Sequence, residues 1–170
     1  MRADKRFYDL SMSRGERSRL FAYMVVALCG AIVGYAVVLR LSLGFSVING
    51  LSGYDIWMIV AAAIGSMAGL YLAGDRFGQP GWAGLRRAML ATIWVSFVGS
   101  VIGGSLMLPF YGTMFGPFTL LVTLASSPLL ALLWVLNLMG AHSLLNHWRR
   151  ERDTIFTAFE DGRIESYRSR

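Results

Sequence analysis

Charged residues are scarce in this chain and are missing from most of its length. They make up 15% of the 170 residues, whereas soluble domains carry about 25%, and the mean hydropathy is +0.53. Residues 20–85 contain only Arg40, Asp55, Asp75 and Arg76, and residues 88–148 contain no charge at all. Because uncharged apolar stretches of about 18 or more residues are typical of membrane spans, this distribution excludes an ordinary soluble domain.

The residue sets of several membrane enzymes are also missing. The one cysteine, Cys29, cannot form an intrachain pair, so we interpret it as a small core residue. His142 and His147 lie about 140° apart around a helix, so they cannot both face one haem or metal. Asp55 and Asp75 fall on opposite predicted faces of the membrane, which excludes the paired carboxylates of a membrane aspartyl peptidase.

Two further absences concern transport and soluble chemistry. The first span has no buried acid, which four-helix proton-coupled multidrug transporters need. No Walker loop, H-E-x-x-H or G-x-S-x-G motif occurs. We therefore expect no enzymatic activity, no catalytic residue, no cofactor and no bound metal.

Four apolar stretches remain, at residues 20–42, 54–74, 88–110 and 117–141. Each is long enough to cross a hydrocarbon core of about 30 Å as a helix. Short connections make consecutive helices neighbours. The sequence therefore predicts an all-α membrane protein with four transmembrane helices in an antiparallel bundle.

Basic residues set the predicted orientation. They concentrate in residues 1–19, 75–87 and 149–170, while the connections at 43–53 and 111–116 have none. The positive-inside rule then places both termini in the cytoplasm. Attraction to anionic lipids at that face is expected, nucleic-acid binding is not, and the ratio of fifteen arginines to one lysine favours a bacterial inner membrane.

Local signals predict where helices begin, bend and end. Ser13 and Glu16 form an S-x-x-E capping box for the first helix. Pro109 is expected to end or kink the third helix, and Pro117 suits the first turn of the fourth. At Pro128 the sequence Ser-Ser-Pro predicts a kink whose released carbonyl a serine hydroxyl satisfies.

The domain organisation has three parts: a basic arm at 1–19, the four-helix transmembrane domain at 20–148 and a basic tail at 149–170. The tail has a helical apolar rhythm that predicts a cytoplasmic extension of the fourth helix to about Phe159, lying on the membrane or against a partner. A hairpin turning at Asp161 and Gly162 is the alternative. The candidate docking residues are Trp148, Ile155, Phe156 and Phe159.

Glycine pairs with G-x-x-x-G spacing recur near the middle of three spans. Small residues let helix backbones approach in lipid, where helix contact brings no hydrophobic gain. We expect these faces to pack within the chain, although packing against another protein remains open. The candidate packing residues are Gly30, Gly34, Gly65, Gly69, Gly99 and Gly103.

Arg40 and Asp55 are the charged pair nearest the external face. We expect an ion pair there, either as structural support or as one wall of a ligand site. "VVLR" at 37–40 and the span count are similar to the small four-helix membrane subunit of tripartite transporters that use a substrate-binding protein. The tryptophan and paired glutamates of that family do not follow Arg40 here. "LAGDRFG" at 72–78 resembles the start of the loop signature of the major facilitator superfamily, but Gln79 and Pro80 replace its basic residues.

The sequence as a whole favours a non-catalytic inner-membrane protein. We expect an accessory, assembly or scaffold subunit of a larger membrane complex, whose partners are other integral membrane proteins or copies of itself. The alternative is a transporter component with substrate contacts near Arg40 and Asp55.

Overall fold

The computed structural model describes residues 13–42 and 50–168, with side chains described through Thr154. Within those ranges the chain is helical and contains no strand. Five α-helices and one 3-10 helix follow one another. They are α1 (Arg14–Leu41), α2 (Gly53–Ala73), the 3-10 helix (Gly74–Arg76), α3 (Gly81–Met107), α4 (Gly112–Ala125) and α5 (Pro128–Arg168).

Four of these segments are long and apolar enough to cross a membrane: Arg14–Leu41, Gly53–Arg76, Gly81–Met107 and Pro128–Thr154. The predicted all-α class and the number of candidate spans are confirmed. Large apolar side chains such as Leu28, Ile93 and Leu129 are exposed on their outer faces, as expected where lipid rather than water surrounds a protein. These features indicate a multi-pass membrane protein.

Capping boxes start the first two long helices. Ser13 and Glu16 exchange side chain-to-backbone hydrogen bonds of 3.1 Å each, which confirms the predicted box. Ser52 and Asp55 form a second box, in which the Asp55 carboxylate accepts from the Ser52 N–H at 2.9 Å. Each box satisfies backbone donors that a helix start leaves without an intrahelical partner.

The third helix ends where Pro109 predicts. Helix α3 stops at Met107, and Phe110 has a positive φ of 73° as the chain turns. The Gly112 N–H then donates to the Leu108 carbonyl at 2.7 Å. Helix α4 begins at Gly112, earlier than the predicted start at residue 117. Pro117 therefore lies inside the helix rather than in its first turn.

The predicted continuous span at 117–141 is wrong. The chain breaks between Ala125 and Pro128, and two separate helices flank the break. The Ser126 hydroxyl donates to the carbonyls of Val122 and Thr123, which satisfies carbonyls at the end of α4. The kink expected at Ser-Ser-Pro is therefore present, but it divides the span in two and leaves Pro128–Thr154 as the membrane-length helix.

The segment that contains α4 does not run straight along α3. Gly112 lies against Gly104, and Trp134 lies against Ser96. A straight helix would cover about 33 Å between Gly112 and Trp134 but only about 12 Å between Gly104 and Ser96, at 1.5 Å per residue. Residues 112–134 therefore do not form one straight helix along α3, which agrees with the break at 126–127.

The tail hairpin is also wrong within the described residues. Helix α5 continues without interruption through Asp161 and Gly162 to Arg168. The predicted helical extension is present and continues beyond Phe159. The side chains of residues 155–168 lie outside the described residues, and with them the proposed docking side chains Ile155, Phe156 and Phe159.

The helices pack in a fixed order. Helix α1 lies between α2 and α5, and α3 lies between α2 and α4. The core cluster joins α1, α2, α3 and α5 and includes Val26, Cys29, Leu70, Val95 and Leu138, all almost fully buried. Phe77, in the loop after the 3-10 helix, is also fully buried, so this loop is part of the packed structure.

Candidate functional site

The glycine pair of α1 lies against α2. A Cβ placed on Gly30 would come within 2.7 Å of the Ser66 Cβ, and one on Gly34 within 2.7 Å of the Ala62 Cβ. Real Cβ atoms essentially never approach this closely. The two backbones are therefore near enough that only glycine fits. The Ser66 hydroxyl adds a 3.2 Å hydrogen bond to the Val26 carbonyl of α1.

The glycine pairs of α2 and α3 face each other. A Cβ on Gly65 would lie 2.7 Å from the Gly103 nitrogen, and one on Gly69 would lie 3.0 Å from the Gly99 Cα. Helix α2 thus presents Ala62 and Ser66 to α1 and the Gly65 face to α3. All six predicted packing glycines contact a neighbouring helix of the same chain.

A further glycine contact was missed from the sequence. Gly104 of α3 lies against Gly112 and Gly116 of α4, where an added Cβ on Gly104 would be 2.9 Å from the Gly116 Cα. Gly112 and Gly116 have the same G-x-x-x-G spacing. The glycine and proline residues around them are typical of a loop, so the spacing alone does not indicate a helix contact here.

Arg40 and Asp55 are not brought together. Both residues are described, and no salt bridge joins them. Arg40 is exposed at the end of α1, while the Asp55 carboxylate is bound to the backbone N–H of Ser52. Asp55 therefore serves the start of α2.

A small cavity lies between the helices. It has a volume of about 70 Å³ and is lined by residues of all five α-helices, including Ser66, Ser100 and Thr119. Trp134 and Ser96 close one side through a 2.8 Å hydrogen bond from the indole N–H to the serine hydroxyl. None of the lining residues is charged, so the cavity offers no titrating group to a substrate.

Helix α5 binds the loop that follows the 3-10 helix. The His142 Nδ1 accepts a 3.0 Å hydrogen bond from the Gly78 N–H, and its ring meets the Phe77 ring edge-on at 6.2 Å. Gly78 has φ +78°, and a Cβ there would lie 2.8 Å from the Leu145 backbone. His142 is 7% exposed, so its side chain is buried at the point where it binds the backbone of this loop.

About two turns further along α5, Arg149 binds the 3-10 helix that precedes this loop. Its guanidinium donates to the Asp75 carboxylate at 2.8 Å and to the Gly74 carbonyl at 3.4 Å. Arg149 is largely buried while Asp75 is exposed. The Nε of Arg149 and the Oδ1 of Asn146 are both buried without a hydrogen-bond partner among the described atoms. Arg149 and His142 together hold the 3-10 helix and the loop that follows it against α5.

Trp148 joins α5 to the start of α1. The guanidinium groups of Arg19 and Arg152 both lie over its indole ring, at 4.8 Å and 5.0 Å from the ring centroid. Gly15 leaves room for it, because a Cβ there would be 3.2 Å from the indole Cδ1. This cation–π stack is a contact within the chain. Trp148 is thus half-buried at the point where the predicted tail begins.

The described residues contain no group of three or more histidine, cysteine, aspartate or glutamate side chains that could hold a metal ion. Cys29 is buried in the core, as interpreted from the sequence. Comparison with protein-family models, curated proteins and solved structures finds no match to this chain.

Proposed function

We propose that this protein is a non-catalytic accessory, assembly or scaffold subunit of a larger complex in a bacterial inner membrane. In this proposal its four spans form a compact membrane anchor, and the end of α5 carries the surface that docks onto another membrane protein or a second copy of the chain. Both termini face the cytoplasm.

The length of α5 carries the proposal. The helix runs for 41 residues from Pro128 to Arg168, about 60 Å at 1.5 Å per residue. A bilayer core is about 30 Å thick, so roughly half of the helix is left for contacts outside it. A long helix that continues without a break from a membrane span is suited to hold a partner at a defined distance from the membrane.

The part of α5 from which this extension begins is held by contacts with other segments of the chain. His142 and Arg149 hold the loop after α2, and Trp148 stacks with Arg19 of α1. These contacts also bring together, at one end of the molecule, parts of the three segments that are rich in basic residues (1–19, 75–87 and 149–170). By the positive-inside rule that end is cytoplasmic, which supports the orientation proposed here.

The polar groups within the spans support a non-catalytic role. Asp55 caps α2, the Ser66 hydroxyl binds backbone carbonyls of α1 and α2, and Ser96 binds Trp134. Asp55 serves the start of its own helix, whereas Ser66 and Ser96 each join two helices. No residue that lines the central cavity is charged, whereas membrane catalysis or ion-coupled transport ordinarily relies on an ionisable group in the bundle interior.

Deleting residues 153–170 tests the proposal. The truncated chain should still resist alkaline extraction from membranes, because it keeps the first three spans and residues 128–152 of the fourth. On native gels it should migrate as the free chain, whereas the full chain should migrate in a larger complex.

A chain with residues 153–170 shuffled is the matched control, since it keeps their length, composition and charge. It should lose the complex as completely as the deletion does. Retention of the complex by the deleted chain would overturn the proposal, and retention by the shuffled chain alone would show that charge rather than a specific helix face makes the contact.

A further inference from the structure

We propose that the groove between the 3-10 helix and α3 binds one anionic phospholipid, with its headgroup phosphate at Arg76 and Arg87 and an acyl chain along Leu90 and Trp94. This groove, named here the Arg76–Arg87 groove, is open and has a volume of about 530 Å³. Its lining consists of Asp75, Arg76, Gln79, Arg87, Leu90, Ala91 and Trp94. The inference does not depend on the proposed scaffold function.

The groove changes from basic to apolar along α3. Arg87, Leu90, Ala91 and Trp94 have i, i+3, i+4, i+7 spacing, which places them on one face of the helix. Trp94 lies about 10 Å from Arg87 along the helix axis at 1.5 Å per residue. Leu90 is 71% exposed and Trp94 is 45% exposed. A ligand that contacts this whole face must have an anionic end and an apolar end.

Both arginines of the groove lack a carboxylate partner within the described part of the chain. The Arg87 guanidinium donates to the neutral Gln79 side-chain oxygen, and Arg76 lies over the Trp94 ring at 5.0 Å. The acid in the lining, Asp75, is bound by Arg149 at 2.8 Å. Two guanidinium groups therefore remain to bind an anion, and guanidinium binds phosphate oxygens with strong charge-assisted hydrogen bonds.

The neighbouring side chains hold these two arginines at the groove. The Gln79 amide donates to the Asp75 carbonyl at 2.9 Å, so the residue that binds Arg87 is itself fixed to the 3-10 helix. The Trp94 ring restricts the position of the Arg76 guanidinium through the cation–π contact. A preorganised pair of cations loses less conformational entropy on binding than two unrestrained side chains. The arrangement favours a lipid headgroup at a defined position over diffuse attraction to the membrane surface.

Native mass spectrometry of the full chain in mild detergent tests this site. Dioleoyl phosphatidylglycerol should be retained, and dioleoyl phosphatidylcholine, with the same acyl chains and no net charge, should be retained much less. Arg76→Gln and Arg87→Gln should each lower phosphatidylglycerol retention about fivefold, the factor expected for one basic residue near an anionic surface. Arg87→Lys should retain more lipid than Arg87→Gln, because it keeps the charge.

Arg86→Gln is the matched control. Arg86 is the adjacent exposed arginine, does not line the groove, and should leave lipid retention unchanged. Leu90→Ser keeps both arginines and should lower retention, because it removes the apolar end of the site. Equal loss with Arg86→Gln, equal retention of phosphatidylcholine, or displacement of the lipid by millimolar inorganic phosphate would overturn the proposal.

Discussion

The Nδ1 atom of His142 accepts a hydrogen bond from the backbone N–H of Gly78, 64 residues earlier in the chain. This bond joins the long helix α5 to the loop after α2. Because Gly78 has a positive φ and lies directly against the α5 backbone, the loop follows the helix surface closely. The bond therefore fixes the place from which the α5 extension leaves the packed helices.

Replacing His142 by leucine should destabilise the protein. The buried Gly78 N–H would lose its acceptor, at a cost of about 1–3 kcal/mol, and the melting temperature in detergent should fall. His147→Leu is the control, because His147 is exposed on the same helix and should change the stability little. Equal melting temperatures for the two variants would contradict a structural role for His142.

Acidification should weaken the same contact. A protonated Nδ1 cannot accept a hydrogen bond, so its stabilising effect is present at pH 8 and is lost as His142 takes up a proton at lower pH. The difference in unfolding free energy between the unmodified chain and His142→Leu should therefore shrink from pH 8 to pH 5. A difference that stays constant or grows on acidification would show that the proton does not compete with the Gly78 N–H.

A methyl group added at Gly65 should disturb the α2–α3 contact. Gly65→Ala would bring a Cβ within 3 Å of Gly103 backbone atoms, and forcing such helices apart typically costs about 1–3 kcal/mol. Gly140→Ala is the matched control, because nothing lies within 4 Å of an added Cβ there. It should be neutral or stabilising by about 1 kcal/mol or less. Similar melting temperatures for both variants would rule out the close approach.

Trp148 should contribute to stability through its two arginine contacts. Trp148→Leu removes both cation–π interactions, each worth about 0.5–1 kcal/mol at exposed sites, and loosens the contact between α1 and α5. Hydrogen exchange should then increase at the start of α1. Trp82→Leu is the control, since Trp82 is 82% exposed, and it should leave that exchange unchanged. An unchanged rate in Trp148→Leu would show that the stack does not hold the two helices.

Arg40 and Asp55 should act independently of each other. Asp55→Ala removes a bond of the capping box and should cost about 1 kcal/mol, whereas Arg40→Gln, at an exposed position, should change stability by about 0.5 kcal/mol or less. In a double-mutant cycle the two effects should add within about 0.5 kcal/mol. A larger coupling, or loss of solute uptake with Arg40→Gln alone, would favour the transporter alternative.

Much of the fold could be predicted because it depends on local physics. Uncharged runs predict spans, Ser13 and Glu16 predict a helix start, Pro109 predicts a helix end, and Pro128 predicts a kink where the structure has a full break. The start of helix α4 is not predicted, because glycines such as Gly112 and Gly116 favour turns in water-soluble proteins. In a packed membrane helix the same residues allow close contact with Gly104.

Less of the candidate site than of the fold could be predicted from the sequence. The G-x-x-x-G spacing indicates which faces are small, but it does not show which faces meet, because that depends on how each helix is rotated. Nothing local to Gly78 or His142 indicates their bond, since the two residues come together only when the loop after the 3-10 helix packs against α5. The Arg76–Arg87 groove likewise requires the 3-10 helix to fold back over α3.

Photo-crosslinking in intact membranes tests the central proposal, docking through the end of α5, most directly. A photoreactive residue at position 156 should give one adduct of defined mass with another membrane protein or a second copy of the chain. The same residue at Met114, which is 85% exposed on α4, should give only lipid adducts. Lipid adducts alone at position 156 would contradict a docking role for α5.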